Sequence, residues 1–564
     1  MEALDWIVIG VFALALIGII VWVVKQKQND SADYFLGGRD ATWIAIGASI
    51  FASNIGSEHL IGLAGAGASS GMAMAHWEIQ GWMILILGWV FVPFYTRSMV
   101  YTMPEFLERR YNPQSRTILS VISLVSYVLT KVAVTVYAGG LVFQQVFGIK
   151  ELWGIDFFWI AAIGLVVLTA LYTIFGGMKS VLYTSVLQTP ILLLGSLIIL
   201  VLGFKELGGW DEMMRVCGAV TVNDYGDTMT NLIRSNDDAN FPWLGALIGS
   251  AIIGFWYWCT DQFIVQRVLS GKNEMEARRG TIFGAYLKLL PVFLFLIPGM
   301  IAFALHQKYI GAGGEGFLPM LENGTANADA AFPTLVAKLL PAGVKGLVVC
   351  GILAALMSSL ASLFNSSAML FTIDFYKRFR PQTSEKKLVG IGQVATVVIV
   401  ILGILWIPIM RSVGDVLYTY LQDVQSVLAP GIAAAFLLGI CWKRTSAQGG
   451  MWGLISGMVI GLTRLGAKVY YSNAGEVADS TFKYLFYDMN WLFFCGWMFL
   501  FCIIVVIVVS LATKAPTAEK IQGLVFGTAT KEQKAATRAS WNHWDIIHTV
   551  IILAITGAFY WYFW

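Results

Sequence analysis

The side chains able to do chemistry in unusual places are Glu58, His59, Glu78, Lys131, Asp261, Lys288, Asp423 and Arg464, all set within long apolar stretches. An ionisable group at bilayer depth costs about 2.5 to 3.5 kcal/mol on insertion scales, so each one points to pairing or to a ligand. Asn54, His59, Glu78, Lys288 and the neutral amide Gln422 offer donors and acceptors of several kinds, the set that a ring of hydroxyls needs. Trp256, Tyr257 and Trp258 add aromatic faces for the C–H surface of such a ring. The competing readings are a structural ion pair for Glu78 and Lys288, and packing for the two tryptophans. A second group suits a hard cation. The run Ala354-Ala-Leu-Met-Ser-Ser359 places Ala355, Ser358 and Ser359 on one helical face by i, i+3, i+4 spacing. With the carbonyls of Ala52, Ile55 and Ala355, the two hydroxyls would complete a set of hard oxygens at a broken helix, as sodium requires. Paired serines also serve as glue between membrane helices.

The elements that position these residues are membrane helices. Of 564 residues, 57% are hydrophobic and only 13% charged, and mean hydropathy is +0.71. Soluble chains carry about 25% charged residues. Disorder, collagen and a disulfide-rich scaffold are excluded, and 37 basic against 34 acidic residues without a basic cluster exclude a nucleic-acid partner. The sequence has no CxxC and its five histidines are scattered, which speaks against zinc. Mainly apolar runs of about 18 residues or more predict fourteen spans. They lie near 5–24, 43–68, 76–96, 119–147, 157–176, 182–203, 242–267, 280–305, 343–376, 388–410, 414–441, 448–470, 489–512 and 545–563. The acidic start MEALD and the lack of an A-x-A site mark the first as a retained helix rather than a signal peptide. Alternate loops collect roughly 24 Lys and Arg on one side against roughly 10 on the other, which places both termini outside. Asn323-Gly-Thr is a glycosylation sequon on that outer side.

Small and polar residues interrupt the second span at Ile50–His59 and the seventh at Gly249–Trp258. Interrupted helices at corresponding places in two halves point to a midplane site in a transporter of inverted repeats. The two five-helix blocks would be 43–203 and 242–441, with 5–24 and 448–564 as extra helices of a single transporter domain, 1–564.

The segments Ser53-Asn-Ile-Gly-Ser-Glu-His59, Phe255-Trp-Tyr-Trp-Cys-Thr-Asp-Gln262, Tyr286-Leu-Lys-Leu-Leu-Pro291 and Leu356-Met-Ser-Ser-Leu360 resemble the sodium-glucose cotransporters of the sodium:solute symporter family. Tyr172-Thr-Ile-Phe-Gly-Gly177 and Phe436-Leu-Leu-Gly-Ile-Cys-Trp-Lys-Arg444 are similar to that family's two signature stretches. The resemblance implies an all-α membrane protein with the LeuT-like fold: two inverted five-helix repeats plus extra helices. It also implies that Asn54, His59, Glu78, Lys288 and Gln422 bind a sugar, that Tyr257 caps it as an inner gate, and that Ala52, Ile55, Ala355, Ser358 and Ser359 bind Na+. Ser185 and Ala361 depart from the family's two-sodium pattern, which implies one sodium per sugar, and Gly254 replaces a polar pocket side chain.

The expectation is therefore sodium-coupled symport of a monosaccharide of the glucose or galactose type, by alternating access, in the cell membrane. The partners are a small sugar, sodium and the lipid bilayer. A myo-inositol or other polyol symporter is the alternative, followed by a non-transporting sugar sensor that gates an ion leak. No enzyme activity is expected, because no nucleophile and base arrangement is visible.

Overall fold

A computed structural model of the chain describes residues 1–26, 30–56, 58–321, 324–411, 417–473 and 478–564. The sequon residue Asn323 lies outside the described residues. In hydrocarbon a helix satisfies its own backbone polar groups, and all fourteen expected spans coincide with helices. The first is α1, Ala3–Val24. The second is built from two pieces, α2 (Trp43–Asn54) and α3 (58–70), and the third is α4 (75–98), interrupted at Ile79 and Gln80. Next come α5 (113–147) and the 51-residue α6, Phe157–Leu207, which holds the fifth and sixth spans. The seventh consists of α7, Trp243–Thr260, and α8, Gln262–Leu269. The remainder are α9 (Glu274–Gly311), α10 (Val344–Phe379), α11 (Glu385–Arg411), α12 (Leu417–Cys441), α13 (Ala447–Asn473), α14 (Trp491–Ala512) and α15 (His543–Tyr562).

Polar residues stop and start these helices where the apolar runs end. Asn112, Asp156, Asn273 and Asn542 each accept a backbone N–H in the first turn of α5, α6, α9 and α15, which satisfies donors that a helix cannot pair internally. The connecting segments sort to two ends of the bundle as the alternation of loops requires. At one end Arg39 donates to the carbonyls of Met99 and Val100, Arg97 to Thr537, Lys520 to the Glu108 carbonyl and Arg278 to Ser540. At the other end Asp5 accepts from the amides of Gly343 and Gly346, Asn490 donates to the Ala239 carbonyl, and the Leu232 amide donates to the Phe563 carbonyl.

The interruption of the seventh span differs in place from the sequence expectation. Gly249 belongs to an unbroken helical stretch, where a side chain would meet Leu492 of α14 at 2.8 Å. Its smallness therefore serves helix packing. The chain instead widens into π-helical turns over Phe255–Thr260 and leaves the helix at Asp261, which is extended at φ −76, ψ 128. Asp261 then caps α8 by accepting from the Phe263 amide.

Glycine is required at two further places. Gly177, at φ +52 and ψ −148, turns the chain between the halves of α6, and a side chain there would collide with the Tyr34 carbonyl. Where α3 crosses α9, a Cβ on Gly67 would run into the Leu296 carbonyl and one on Gly299 into the Ala64 carbonyl. Overpacking such a contact costs about 1 to 3 kcal/mol, and more where backbone must move. Gly299→Val is expected to lower the unfolding temperature in detergent markedly, whereas Gly10→Val, in open space on α1, should leave it unchanged. Equal unfolding temperatures for the two variants contradict the close crossing.

Candidate functional site

Both helix interruptions open onto one cavity. α2 ends at Asn54, Ile55 is extended at ψ 106, and helix resumes at Glu58. The ends of α2 and α3 therefore bring Asn54, Glu58 and His59 to the cavity wall. The interruption of α4 brings Trp77, Glu78 and Gln80, α7 brings Gly254, Tyr257 and Trp258, α9 brings Lys288, and α12 brings Gln422 and Gln425. All six residues expected to hold a small solute, Asn54, His59, Glu78, Tyr257, Lys288 and Gln422, line this one cavity. Trp258 joins them, while Trp256 does not line it and packs 4% exposed beneath Lys131.

Glu78 is the electrostatic centre. It is fully buried, and its Oε2 lies 2.6 Å from Lys288 Nζ and 3.2 Å from His59 Nε2. Asn54 Nδ2 stands 3.1 Å from the same His59 nitrogen. The ammonium of Lys288 also sits 5.3 Å from the Trp258 ring centroid, a cation–π distance. The two sequence readings of Glu78 and Lys288 are thus compatible: they form an ion pair, and the pair lies in the cavity wall. The amide oxygen of Gln422 is buried and makes no hydrogen bond among the described residues. Buried amide oxygens almost always have a partner, so it is an acceptor open to a solute hydroxyl.

A second ion pair closes the other side of the cavity, and its arrangement was not read from the sequence. Lys131 of α5 donates to Asp261 at 2.7 Å. Its ammonium is caged by Tyr257 at 4.6 Å, Phe263 at 4.7 Å and Tyr127 at 5.2 Å from the ring centroids. The Tyr127 hydroxyl donates to Asp261 and accepts from the Phe263 amide at 3.0 Å. The Tyr257 ring is thus held by the Lys131 ammonium from α5. Lys131 and Asp261 both stand out in the sequence as costly intramembrane charges, and that cost was the available signal. Gln80, Thr135 and Gln425 also line the cavity, and neutral residues carry no such mark.

The residues expected to hold a cation face one another across α2 and α10. Ala52, Ile55, Ala355, Ser358 and Ser359 are all at most 1% exposed. Ser53 and Ser362 hydroxyls lie 2.6 Å apart, which fixes the end of α2 against α10. Ser359 Oγ stands 3.1 Å from where a side chain on Gly56 would begin, and Ser359 itself lines the cavity. Ser358 lies 3.3 Å from the Ser185 hydroxyl of α6. The donors are hard neutral oxygens, a chemistry that fits sodium.

Comparison with known proteins is concordant. Residues 34–457 match the model of the sodium:solute symporter family. The chain is 36% identical over 542 residues to human sodium/myo-inositol cotransporter 2, covering 94% of this chain and 79% of that one. It is 37% identical over 525 residues to the human sodium/myo-inositol cotransporter, covering 89% and 72%. In structure it is similar to a Na+-coupled sialic acid symporter in its substrate-bound outward-open state, with a TM-score of 0.72, 22% identity and coverage of 92% and 99%. The fold is LeuT-like, two inverted five-helix repeats with extra helices.

Removing one partner from a buried ion pair costs roughly 3 to 5 kcal/mol, because the other charge is stranded. Lys288→Met is expected to destabilise the folded protein, measured by thermal unfolding in detergent. Adding Glu78→Gln should restore most of that stability. A Lys288→Met protein as stable as the parent contradicts the pairing.

Proposed function

We propose that this chain, which belongs to the sodium:solute symporter family, carries a ring polyol of the myo-inositol class across the membrane together with sodium. The chain is a sodium-coupled symporter of multiple membrane-spanning helices, and sodium is its coupling ion. The observation that carries the reading is Ser359, which lines the solute cavity and abuts the break at Gly56. Cation and solute would thus share one wall. The glucose or galactose expectation gives way to myo-inositol because the relatives quoted above are myo-inositol cotransporters. The ligand residues themselves suit any ring of hydroxyls.

In this reading Asn54, His59, Glu78, Lys288 and Gln422 bind the ring, and Tyr257 caps it. Sodium binds to the Ala52, Ile55 and Ala355 carbonyls and the Ser358 and Ser359 hydroxyls, which ties α2 to α10 and sets Asn54 and His59 for the solute. Each ligand raises the affinity of the other, since coupling between two sites is reciprocal. Loss of sodium to the cytoplasm lets the end of α2 part from α10, and Tyr257 moves to release the solute. The proposed repeats are 43–203 and 242–441, both termini lie outside, and the stoichiometry is one sodium, because Ser185 offers a hydroxyl and no carboxylate beside Ser358. One charge falling through about 100 mV yields roughly 2.3 kcal/mol, and a tenfold sodium gradient adds about 1.4 kcal/mol. The sum of about 3.7 kcal/mol supports accumulation of several hundredfold.

Uptake of radiolabelled myo-inositol, glucose and galactose into proteoliposomes tests the reading. Myo-inositol is expected to accumulate under an inward sodium gradient and not under the same gradient of potassium. Equal uptake with both cations overturns the coupling, and preferential uptake of glucose or galactose overturns the substrate. Ser359→Ala should raise the sodium concentration needed for half-maximal uptake several-fold; unchanged sodium activation removes Ser359 from the cation site.

A further inference from the structure

Glu78 and Gln80 stand two residues apart, and in an unbroken helix they would point about 200° away from each other. The interruption of α4 at Ile79 and Gln80, with ψ near +20 at both, brings the two side chains to the same cavity. Gln80 is 2% exposed. Its Nε2 donates to the Ser250 carbonyl of α7 at 2.8 Å. A carbonyl can only accept, so this bond fixes which branch of the carboxamide is nitrogen, and Oε1 is the other branch. That oxygen lies against the bare Cα face of Gly254, where any side chain would collide with it, and its Cδ is 2.9 Å from where that side chain would start. Gly254 also lines the cavity. Its lack of a side chain is what gives the Gln80 carboxamide its place.

We infer that Gln80 is a substrate-binding residue that sets hydroxyl specificity: its Oε1 accepts a hydrogen bond from one ring hydroxyl of the solute. The inference rests on the polyol reading above. Around it the charged groups of the wall, Glu78, Lys288 and His59, are paired with one another, whereas a neutral acceptor locked by Ser250 discriminates between a hydroxyl and its absence. A site built to bond a hydroxyl rejects the deoxy analogue because its own polar group is then left unpaired.

The test uses the full-length protein in proteoliposomes, with sodium-driven myo-inositol uptake and the mono-deoxy myo-inositols as competitors. Gln80→Met keeps the volume beside Gly254 and removes the acceptor. It is expected to raise the half-saturating myo-inositol concentration about tenfold and to abolish discrimination against one deoxy position while leaving the others intact. Gly254→Ala should reproduce that selective loss by displacing the carboxamide. Sodium activation unchanged in both variants separates this from misfolding. Discrimination by Gln80→Met identical to that of the parent at every position overturns the inference while the polyol reading stands. Should the parent prefer a hexose, the polyol reading fails by itself, and deoxyhexoses in the same comparison decide Gln80.

Discussion

Backbone that leaves the helix inside hydrocarbon must find partners for the amides and carbonyls it frees, because no water is there to take them. This chain does so at Ile55–Gly56, at Ile79–Gln80 and at Asp261. Each interruption is met by an identifiable device. At the first the Gly56 carbonyl accepts from the His59 and Leu60 amides, at the second the Ile79 amide and the Gln80 carbonyl keep helical partners, and at the third Asp261 caps α8. The interruptions lie around one cavity, and residues from each side of the breaks line it. The glycine crossing of α3 and α9 contributes by letting the broken segments approach the helix that carries Lys288.

Charge is balanced as closely as the backbone. Glu78 is paired with Lys288 and Asp261 with Lys131, and the wholly buried Arg267 lies over the Phe263 ring at 5.1 Å. Tyr257 is held between the ammonium of Lys131, 4.6 Å from its ring, and the neighbouring Trp258 ring at 4.9 Å.

Much of this was legible in the residues. Every span coincides with a helix because a bilayer allows few alternatives to a long apolar helix, and intramembrane charges announce themselves by their cost. The six residues expected to hold a solute, and Ser359, line one cavity at the interrupted helices. The interruption of the seventh span lies elsewhere than its residues suggest because Gly249 and its neighbours look like a break, whereas their smallness accommodates α14, a helix more than two hundred residues distant in sequence. Lys131 and Asp261 were visible as charges but not as a pair, since 130 residues separate them. Gln80 carried no signal at all: a glutamine beside an apolar run acquires its meaning only from the bare face of Gly254 on another helix. A set of hydroxyl donors and acceptors does not count ring oxygens, so the side chains alone leave hexose and cyclitol readings both open.

If one interrupted element binds both cation and solute, each ligand stabilises the binding of the other. Isothermal titration of purified protein with myo-inositol at several sodium concentrations, and with sodium at several myo-inositol concentrations, measures this coupling directly. The account predicts that sodium tightens myo-inositol binding and that myo-inositol tightens sodium binding by the same factor. Myo-inositol affinity that is independent of sodium, with potassium in its place giving the same value, would contradict it.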